Sequence, residues 1–413
     1  MSTESTDAAS DHNRVGLWLV GARGAISTCL AYGLAGICEG VLEPLGLCTE
    51  SEPVARLPFV PLENLVLGGH DVCTRSLTAS AAELVQHGVL RSDLVERAAS
   101  RAAAFEGRIR PGTLDQPDVG GLDLDPRSAE MGALSPREQI ARIARDIADF
   151  AEQEQLERVI VINVSSTEAA REDKPEWQDL DAFETALDAG KAQPASMLYA
   201  YAALSNGHPH VNFTPNRGAS AQALRQLAEA RGVPHCGNDG KTGETLVKTV
   251  LGPMFPARAL RVLSWQGYNM LGNRDGEVLR EDAHKQSKLA NKDDALRSIL
   301  ADPDTHTHVG IDYVPSLQDW KTAWDFVHFE GFLGARMSLQ FTWSGSDSAL
   351  AAPLVLDLAR LADYAARNGE VGEMAQTACF FKAPLAGGTH DFHKQHNRLV
   401  EYVEARTEPQ DRS

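Results

Sequence analysis

The sequence predicts an α/β chain in two joined units: a doubly wound, parallel sheet, and a second domain of mixed or antiparallel β-structure. Three observations carry this. Short apolar runs, in Arg14–Val20 and within Arg158–Asn163, suit strands buried on both faces. Helical patterns alternate with such runs up to about Leu251, as strand–helix–strand units require. Beyond that point the strands lengthen and alternate polar with apolar residues, and 413 residues is long for a single core.

Taken in order, the first apolar run feeds Gly21-Ala-Arg-Gly24 and then a helical pattern to about Glu39. From 107 to 133 the chain is polar and rich in Gly and Pro, and reads as a long loop. Ser135-Pro136-Arg137-Glu138 then combines a capping box with proline at the first helical position, starting a helix to about Gln155. That helix delivers the chain into the strand Arg158–Asn163. A helix at Ala195–Ser205 precedes a strand at 210–213, a helix at 219–231 precedes a strand at 233–236, and a third helix starts at Thr242. In the second unit 260–266, 308–314 and 336–343 read as strands, separated by a charged helical segment, 281–300. A long apolar-periodic helix at 349–367 leads into a tail that returns to the first unit. The polar ends, 1–13 and 406–413, read as frayed.

At 43% hydrophobic and 23% charged the composition is that of an ordinary soluble globular protein. No run of about 18 apolar residues and no basic-plus-apolar leader is present, so no membrane span or export is expected. Lys+Arg 39 against Asp+Glu 57 leaves a net charge of −18, which argues against nucleic-acid or anionic-membrane partners. A phosphorylated ligand would need a local cluster of cations. Cys29, Cys38, Cys48, Cys73, Cys236 and Cys379 form no C-x-x-C pair and no zinc spacing, and read as reduced thiols of a cytoplasmic protein.

Gly21, Ala22, Arg23, Gly24, Ala25, Ile26 and Ser27 lie between a strand and a helix, the setting of a dinucleotide loop. The match is incomplete, because Arg23 stands at the second glycine's place, and a plain tight turn accounts for the loop equally well. The acidic residue expected further on is ambiguous among Glu39, Glu43 and Glu50. A second turn, Gly68-Gly69-His70-Asp71, puts a carboxylate at a strand end where ribose hydroxyls would be gripped. Gly237-Asn-Asp239-Gly240-Lys241-Thr242 imitates the end of a phosphate-binding P-loop. His235 stands where that motif needs its first glycine, which excludes it. Asp239 and Lys241 nevertheless fall at the carboxyl edge of the sheet, where α/β ligands bind. Lys285 and Lys288 share a helix face, Lys321 follows Asp319-Trp320, and Lys382 sits among Phe380, Phe381, Ala383 and Pro384. A lysine so flanked reads as partly buried, needing an anionic partner or losing its proton.

From about Val15 to Glu401 the chain resembles the myo-inositol-phosphate synthase family. The matching stretches are Gly68-Gly-x-Asp71, Pro194-Ala-Ser-x-Leu-Tyr199, Gly237-Asn-Asp239-x-Lys241-x-Gly243 and Tyr268-Asn-x-Leu-Gly-Asn273-x-Asp275-Gly276. Ser287-Lys288 with Asp293-Asp294, Tyr313-Val-Pro315, Asp319-x-Lys321, Asp347-Ser348-x-Leu-Ala-Ala-Pro353 and Lys382-Ala-Pro-Leu385 follow in order. The resemblance implies a Rossmann-like NAD-binding domain (14–250, resumed at 346–405) and an inserted α+β catalytic and tetramerisation domain (251–345). It implies that glucose 6-phosphate is oxidised at C5 by tightly held NAD, enolised, closed by an intramolecular aldol step and reduced again to an inositol phosphate.

By the same resemblance the chain is a cytoplasmic homotetramer. Lys285, Lys288, Lys321 and Lys382 are the catalytic lysines. Asn273, Asp275, Lys241, His284 and Asp319 meet the substrate. The glycine loop, Asp71, Ser166, Thr167, Asp239, Asp347 and Ser348 hold NAD. A divalent or monovalent cation near Asp239, Asp275 and Asp347 is left undetermined. Three departures bear on the substrate. His284 stands where the family has its first helical lysine, with Lys285 one residue late, about 100° round the helix. Arg274 and Arg23 add charge to the two pockets, and the family's Asn-Thr-Glu appears as Ser166-Thr167-Glu168. The alternatives are the same cycle on another sugar phosphate, such as fructose 6-phosphate closing to a cyclopentane polyol phosphate, a net NAD-dependent oxidoreductase, and a non-catalytic NAD-sensing scaffold.

Overall fold

The computed structural model describes residues 13–114, 123–169, 171–272, 299–300, 302 and 304–407. The chain runs β1 (Val15–Val20), α1 (Ala25–Cys38), β2 (Leu65–Asp71), α2 (Leu77–Gln86), α3 (Ser92–Gly107) and β3 (Ile109–Pro111). It continues through α4 (Pro126–Gly132), α5 (Pro136–Gln153), β4 (Arg158–Asn163), α6 (Leu180–Asp188), α7 (Ala195–Ser205), β5 (His210–Asn212), α8 (Gln222–Arg231) and β6 (Pro234–Gly237). Then come α9 (Gly243–Leu251), α10 (Met254–Ala257), β7 (Arg261–Leu271), β8 (His306–Tyr313), β9 (Trp320–Glu330) and β10 (Arg336–Ser346). The long helix α11 (Asp347–Arg367), β11 (Gly372–Glu373) and α12 (Phe392–Thr407) close it.

Seven parallel strands form the first sheet in the order β11-β6-β5-β4-β1-β2-β3, so the order reverses between β1 and β4. This is the doubly wound arrangement, and its ligand crevice lies outside the carboxyl ends of the strands at that switch point. One core packs α1 and α11 against the sheet, and another packs α5, α7 and α8 on the opposite face. The capping box of α5 forms as the sequence predicts, with Ser135 and Glu138 each satisfying the other's backbone.

The second sheet, β10-β9-β7-β8, is mixed: β7 and β8 are parallel, while β9 runs antiparallel to both β7 and β10. Phe255, Val262, Trp265 and Val327 bury its inner face. Two expectations need correcting. Residues 107–133 are not one long loop, because β3 and α4 lie within them, α4 started by the Asp125 cap and Pro126. The second sheet also holds a strand, β9, that the apolar pattern does not announce. The expected helix at 281–300 falls, except for 299–300, outside the described residues.

Candidate active site

The crevice at the switch point is built largely by backbone. The amides of Gly21 and Ala22 both donate to His70 O, folding the glycine loop over the end of β2. Gly69 permits this: a Cβ there would lie 2.2 Å from Leu19 O and 2.8 Å from Ala22 Cβ. Asp71 then ties the loop down, accepting Arg23 N–H at 2.7 Å and Cys73 N–H at 2.8 Å. Burial holds its carboxyl above the usual range. The 14-residue helix α1 begins at Ala25 with no side-chain cap, leaving its first amides for an anion. Ser27 turns its hydroxyl back onto Gly21 O at 2.8 Å.

Arg23 does not add free charge to this pocket. Its guanidinium is held by Glu106 at 2.5 Å and by Arg75 O at 2.8 Å. Glu39 and Glu50 are likewise engaged elsewhere, by Arg101 and Arg360, and Glu43 is exposed, whereas Asp71 is bonded to the loop itself.

Across the carboxyl edge, β4, β5 and β6 end in asparagines and their neighbours. Asn163 donates to Asn212 and Thr214 at 3.2 Å, and Asn212 donates to Asn216 O at 2.6 Å and to Asn238 at 3.0 Å. Asn216 reaches Ser166 O at 2.9 Å. This net fixes the loops on which Ser166 and Asp239 lie. Thr167 lies half-buried beside exposed Ser166.

The lysines enter here from two elements. Lys382, on the segment after β11, pairs with Asp239 at 2.8 Å. Lys321, near the start of β9, pairs with Asp347 at 3.4 Å, and Asp347 accepts Thr242 Oγ1 at 3.2 Å. Burial works against the Lys321 ammonium, but Asp347, Glu244 and Asp239 together lift its pKa above the ordinary value. Lys321 and Lys382 thus face a shared set of acids around the β6–α9 loop. Asp319 is less available. It is buried and accepts Ser346 Oγ at 2.6 Å and Ser348 Oγ at 3.2 Å, so both Asp319 and Ser348 serve to join the start of β9 to that of α11. Lys241 is 2% exposed and donates to Gln395 of α12.

Below Lys321, on the same inward face of β9, Asp325 meets Lys248 of α9 at 3.0 Å, and Lys248 meets Glu244 at 2.5 Å. Trp265 Nε1 donates to Asp325 at 2.8 Å. Burial, opposed by Lys248, pushes Asp325 up to about 6, and the two carboxylates raise Lys248 against its own burial. Gly267, opposite Asp325 in β7, leaves the room: a Cβ there would be 2.5 Å from Lys248 Nζ. Sequence reading missed this triad, because Glu244 and Lys248 at i, i+4 look like a surface pair. Gln395 carries no sequence signal at all.

Asn273, Arg274, Asp275, His284, Lys285 and Lys288 lie outside the described residues. Among the described residues no group of three or more His, Cys, Asp or Glu is placed to hold a metal ion.

A parallel doubly wound sheet with a backbone-built anion loop at its switch point, joined to charged groups from a second sheet, defines an enzyme of the dinucleotide-binding α/β class. The comparisons make this particular. The family model described as myo-inositol-1-phosphate synthase matches residues 15–404, and the chain belongs to that family. It is 31% identical over 406 residues to inositol-3-phosphate synthase 1 of Bacteroides thetaiotaomicron, covering 92% of this chain and 91% of that one. It is 28% identical over 396 residues to inositol-3-phosphate synthase of Spirodela polyrhiza, covering 86% and 75%. The solved inositol-3-phosphate synthase of Caenorhabditis elegans superposes with a TM-score of 0.85 at 22% identity, covering 97% of this chain and 87% of that one, which speaks for the fold. The chain is therefore an enzyme of the isomerase class, an intramolecular lyase, with an NAD-binding domain. No described helix is long and apolar enough to cross a membrane.

Proposed function

We propose that the protein converts glucose 6-phosphate to a myo-inositol phosphate by internal oxidation, enolisation, aldol closure and reduction. One observation carries the reading: Lys321 and Lys382, from different elements, turn to the acids around a single loop at the carboxyl edge of an NAD-binding sheet. The residues present fit NAD. The amides opening α1 would meet its pyrophosphate, and Asp71 holds the loop that presents them. When bound, NAD takes a hydride from C5 and returns it to the same carbon.

The chain's own groups do the rest. Each step places negative charge on a sugar oxygen, and preorganised ammonium groups are its natural stabilisers. Lys321 and Lys382 supply them, with Asp347 and Asp239 fixing where they point. Lys288, with Lys285 or His284, and Asn273 with Asp275 are assigned to the phosphate and hydroxyls by family resemblance. The domain limits given above, with catalysis in 251–345, belong to the same proposal.

A homotetramer in the cytoplasm completes the reading. The outer face of the second sheet, where Tyr268 and Trp324 are stacked and partly exposed, supports self-association, and six free cysteines support a reducing compartment. The test is to incubate the protein as purified with glucose 6-phosphate or fructose 6-phosphate, with and without chelator and without added reductant. Phosphorus NMR and mass spectrometry should find an inositol phosphate from glucose 6-phosphate alone. Stoichiometric NADH, or a product lacking the carbocycle, would overturn the proposal. Light scattering reads the oligomer.

A further inference from the structure

In this fold class the adenosine ribose is gripped at the carboxyl end of the second strand. An acid there suits the 2′-hydroxyl of NAD, and a nearby arginine suits the 2′-phosphate of NADP. This chain sets both at that corner. Asp71 ends β2, and its carboxylate accepts the backbone N–H of Arg23, in the glycine loop, at 2.7 Å. The Arg23 side chain then runs to the segment after β2, where its guanidinium donates to Arg75 O at 2.8 Å. It is 18% exposed, so a bound ligand can touch it.

Selection between the two cofactors turns on whether that guanidinium has charge to spare. Glu106, near the end of α3, meets Arg23 Nη1 at 2.5 Å. The other Glu106 oxygen accepts Leu77 N–H, at the start of α2, at 2.9 Å, which fixes the direction of the carboxylate. A pair so anchored and partly shielded from water holds better than one on an open surface. The neighbouring cations have partners of their own: Arg75 pairs along α2 with Ala79 O and Glu83, and Arg110 bonds back onto Gly107 O.

We propose that Glu106 is the residue that makes this enzyme take NAD rather than NADP, by holding Arg23 in an ion pair at the ribose corner. This rests on the NAD-binding reading of the first sheet and adds its specificity. A 2′-phosphate brings about two negative charges near pH 7. To enter, it must compete with Glu106 for Arg23 while lying beside the Asp71 carboxylate. NAD presents hydroxyls there, which donate to a carboxylate and bring no charge to be matched. The selectivity is built from repulsion, with the attractive partner present but already satisfied.

The test measures NAD⁺ and NADP⁺ binding by calorimetry on full-length protein freed of nucleotide, and the readout is the ratio of the two affinities. Wild type should favour NAD⁺. In Glu106→Gln, which keeps an oxygen for Leu77 N–H, the ratio should move toward NADP⁺ by about tenfold or more, one charge-assisted hydrogen bond gained. Glu106→Ala should move it the same way, and serves if the glutamine variant does not fold. Adding Arg23→Met to Glu106→Gln should abolish the gain. Glu83→Gln removes an equal charge one arginine further along and should change the ratio by less than a few-fold. A ratio unmoved in both Glu106 variants, a gain that survives Arg23→Met, or an equal gain in Glu83→Gln would overturn the proposal while leaving NAD binding intact. Wild-type protein that binds neither nucleotide overturns the NAD reading itself, and the proposal with it.

Discussion

The central strands of the seven-stranded sheet are buried on both faces, and β1 and β4 are nearly continuous apolar runs. The four-stranded sheet has one face on a core and α9, and another on which Tyr268, Trp324, Phe326 and His328 stack in a partly open ladder. The difference decides where chemistry is placed. Strands buried on both sides leave little room for working polar groups along their length, so the first sheet sets Asp71, Asn163, Asn212 and Asp239 at or just beyond strand ends. The second sheet carries Lys321 and Asp325 on the strand itself, facing inward. The first sheet contributes backbone, rigidity and the Lys382–Asp239 pair beyond its strand ends, and the second contributes charge along a strand.

That division breaks most sharply at the lysines. Lys321→Met and Lys382→Met should each lower turnover by about 10³-fold, on the order of 4 kcal/mol of transition-state stabilisation. For Lys321→Met, NAD affinity read by calorimetry should stay within a few-fold, because Lys321 lies on the four-stranded sheet and the glycine loop on the other. Comparable loss of NAD binding would contradict the division.

A step down in size is Lys248→Met. It removes the cation between two buried carboxylates and should cost about 3 kcal/mol of stability, the cost of breaking a buried pair from one side. Urea unfolding followed by circular dichroism measures it. Asp325→Asn should cost less, since Asp325 is already held up at about 6. Equal costs would mean that the triad is not a charged unit.

How much of this was legible in the sequence follows from the same contrast. The doubly wound sheet is plain from its apolar runs, and the capping box places α5 to the residue. Strand β9 is not, because its period-2 pattern is inverted. Lys321, Ala323, Asp325 and Val327 point inward, while Trp320, Trp324 and Phe326 point out. A strand whose charged side is buried looks like no strand at all to a reading that puts apolar residues inside. Lys321 and Lys382 were legible because family resemblance names them. Gln395 was not, because an amide on a helix carries no pattern until its buried partner is seen. Arg23 misled for a related reason: a cation in a glycine loop reads as pocket charge, and only the fold brings Glu106 from α3 to neutralise it.

Acid should expose a weakness particular to the first sheet. His210 and His235 stand opposite each other in β5 and β6, both fully buried with unpartnered ring nitrogens. Burial pulls them down to about 3 and about 4. Their folded-state pKa values lie below the unfolded value near 6.5, so the stability they carry is complete above that pH and is lost as pH falls toward 4. At pH 5 each would contribute about 2 kcal/mol of destabilisation. Melting temperature should fall between pH 7 and 5, and His210→Leu should flatten that dependence. A wild-type melting temperature flat to pH 4.5 would mean that the pair is solvated.

The smallest effect is expected on the open face of the second sheet. Trp324 is 37% exposed and stacked on Tyr268, 6.0 Å between ring centres. An exposed cross-strand pair of this kind is worth less than about 1 kcal/mol, and threonine is itself a good strand residue. Trp324→Thr should therefore shift the unfolding midpoint of an isolated subunit by about 0.5 kcal/mol or less. If subunits meet across this face, however, the ladder is core in the assembly, and removing its centre should weaken association and make melting depend on protein concentration. Melting curves of wild type and variant over a hundred-fold range of concentration separate the two cases. A variant whose melting is small in shift and independent of concentration leaves the ladder a surface feature, and self-association must then use another face.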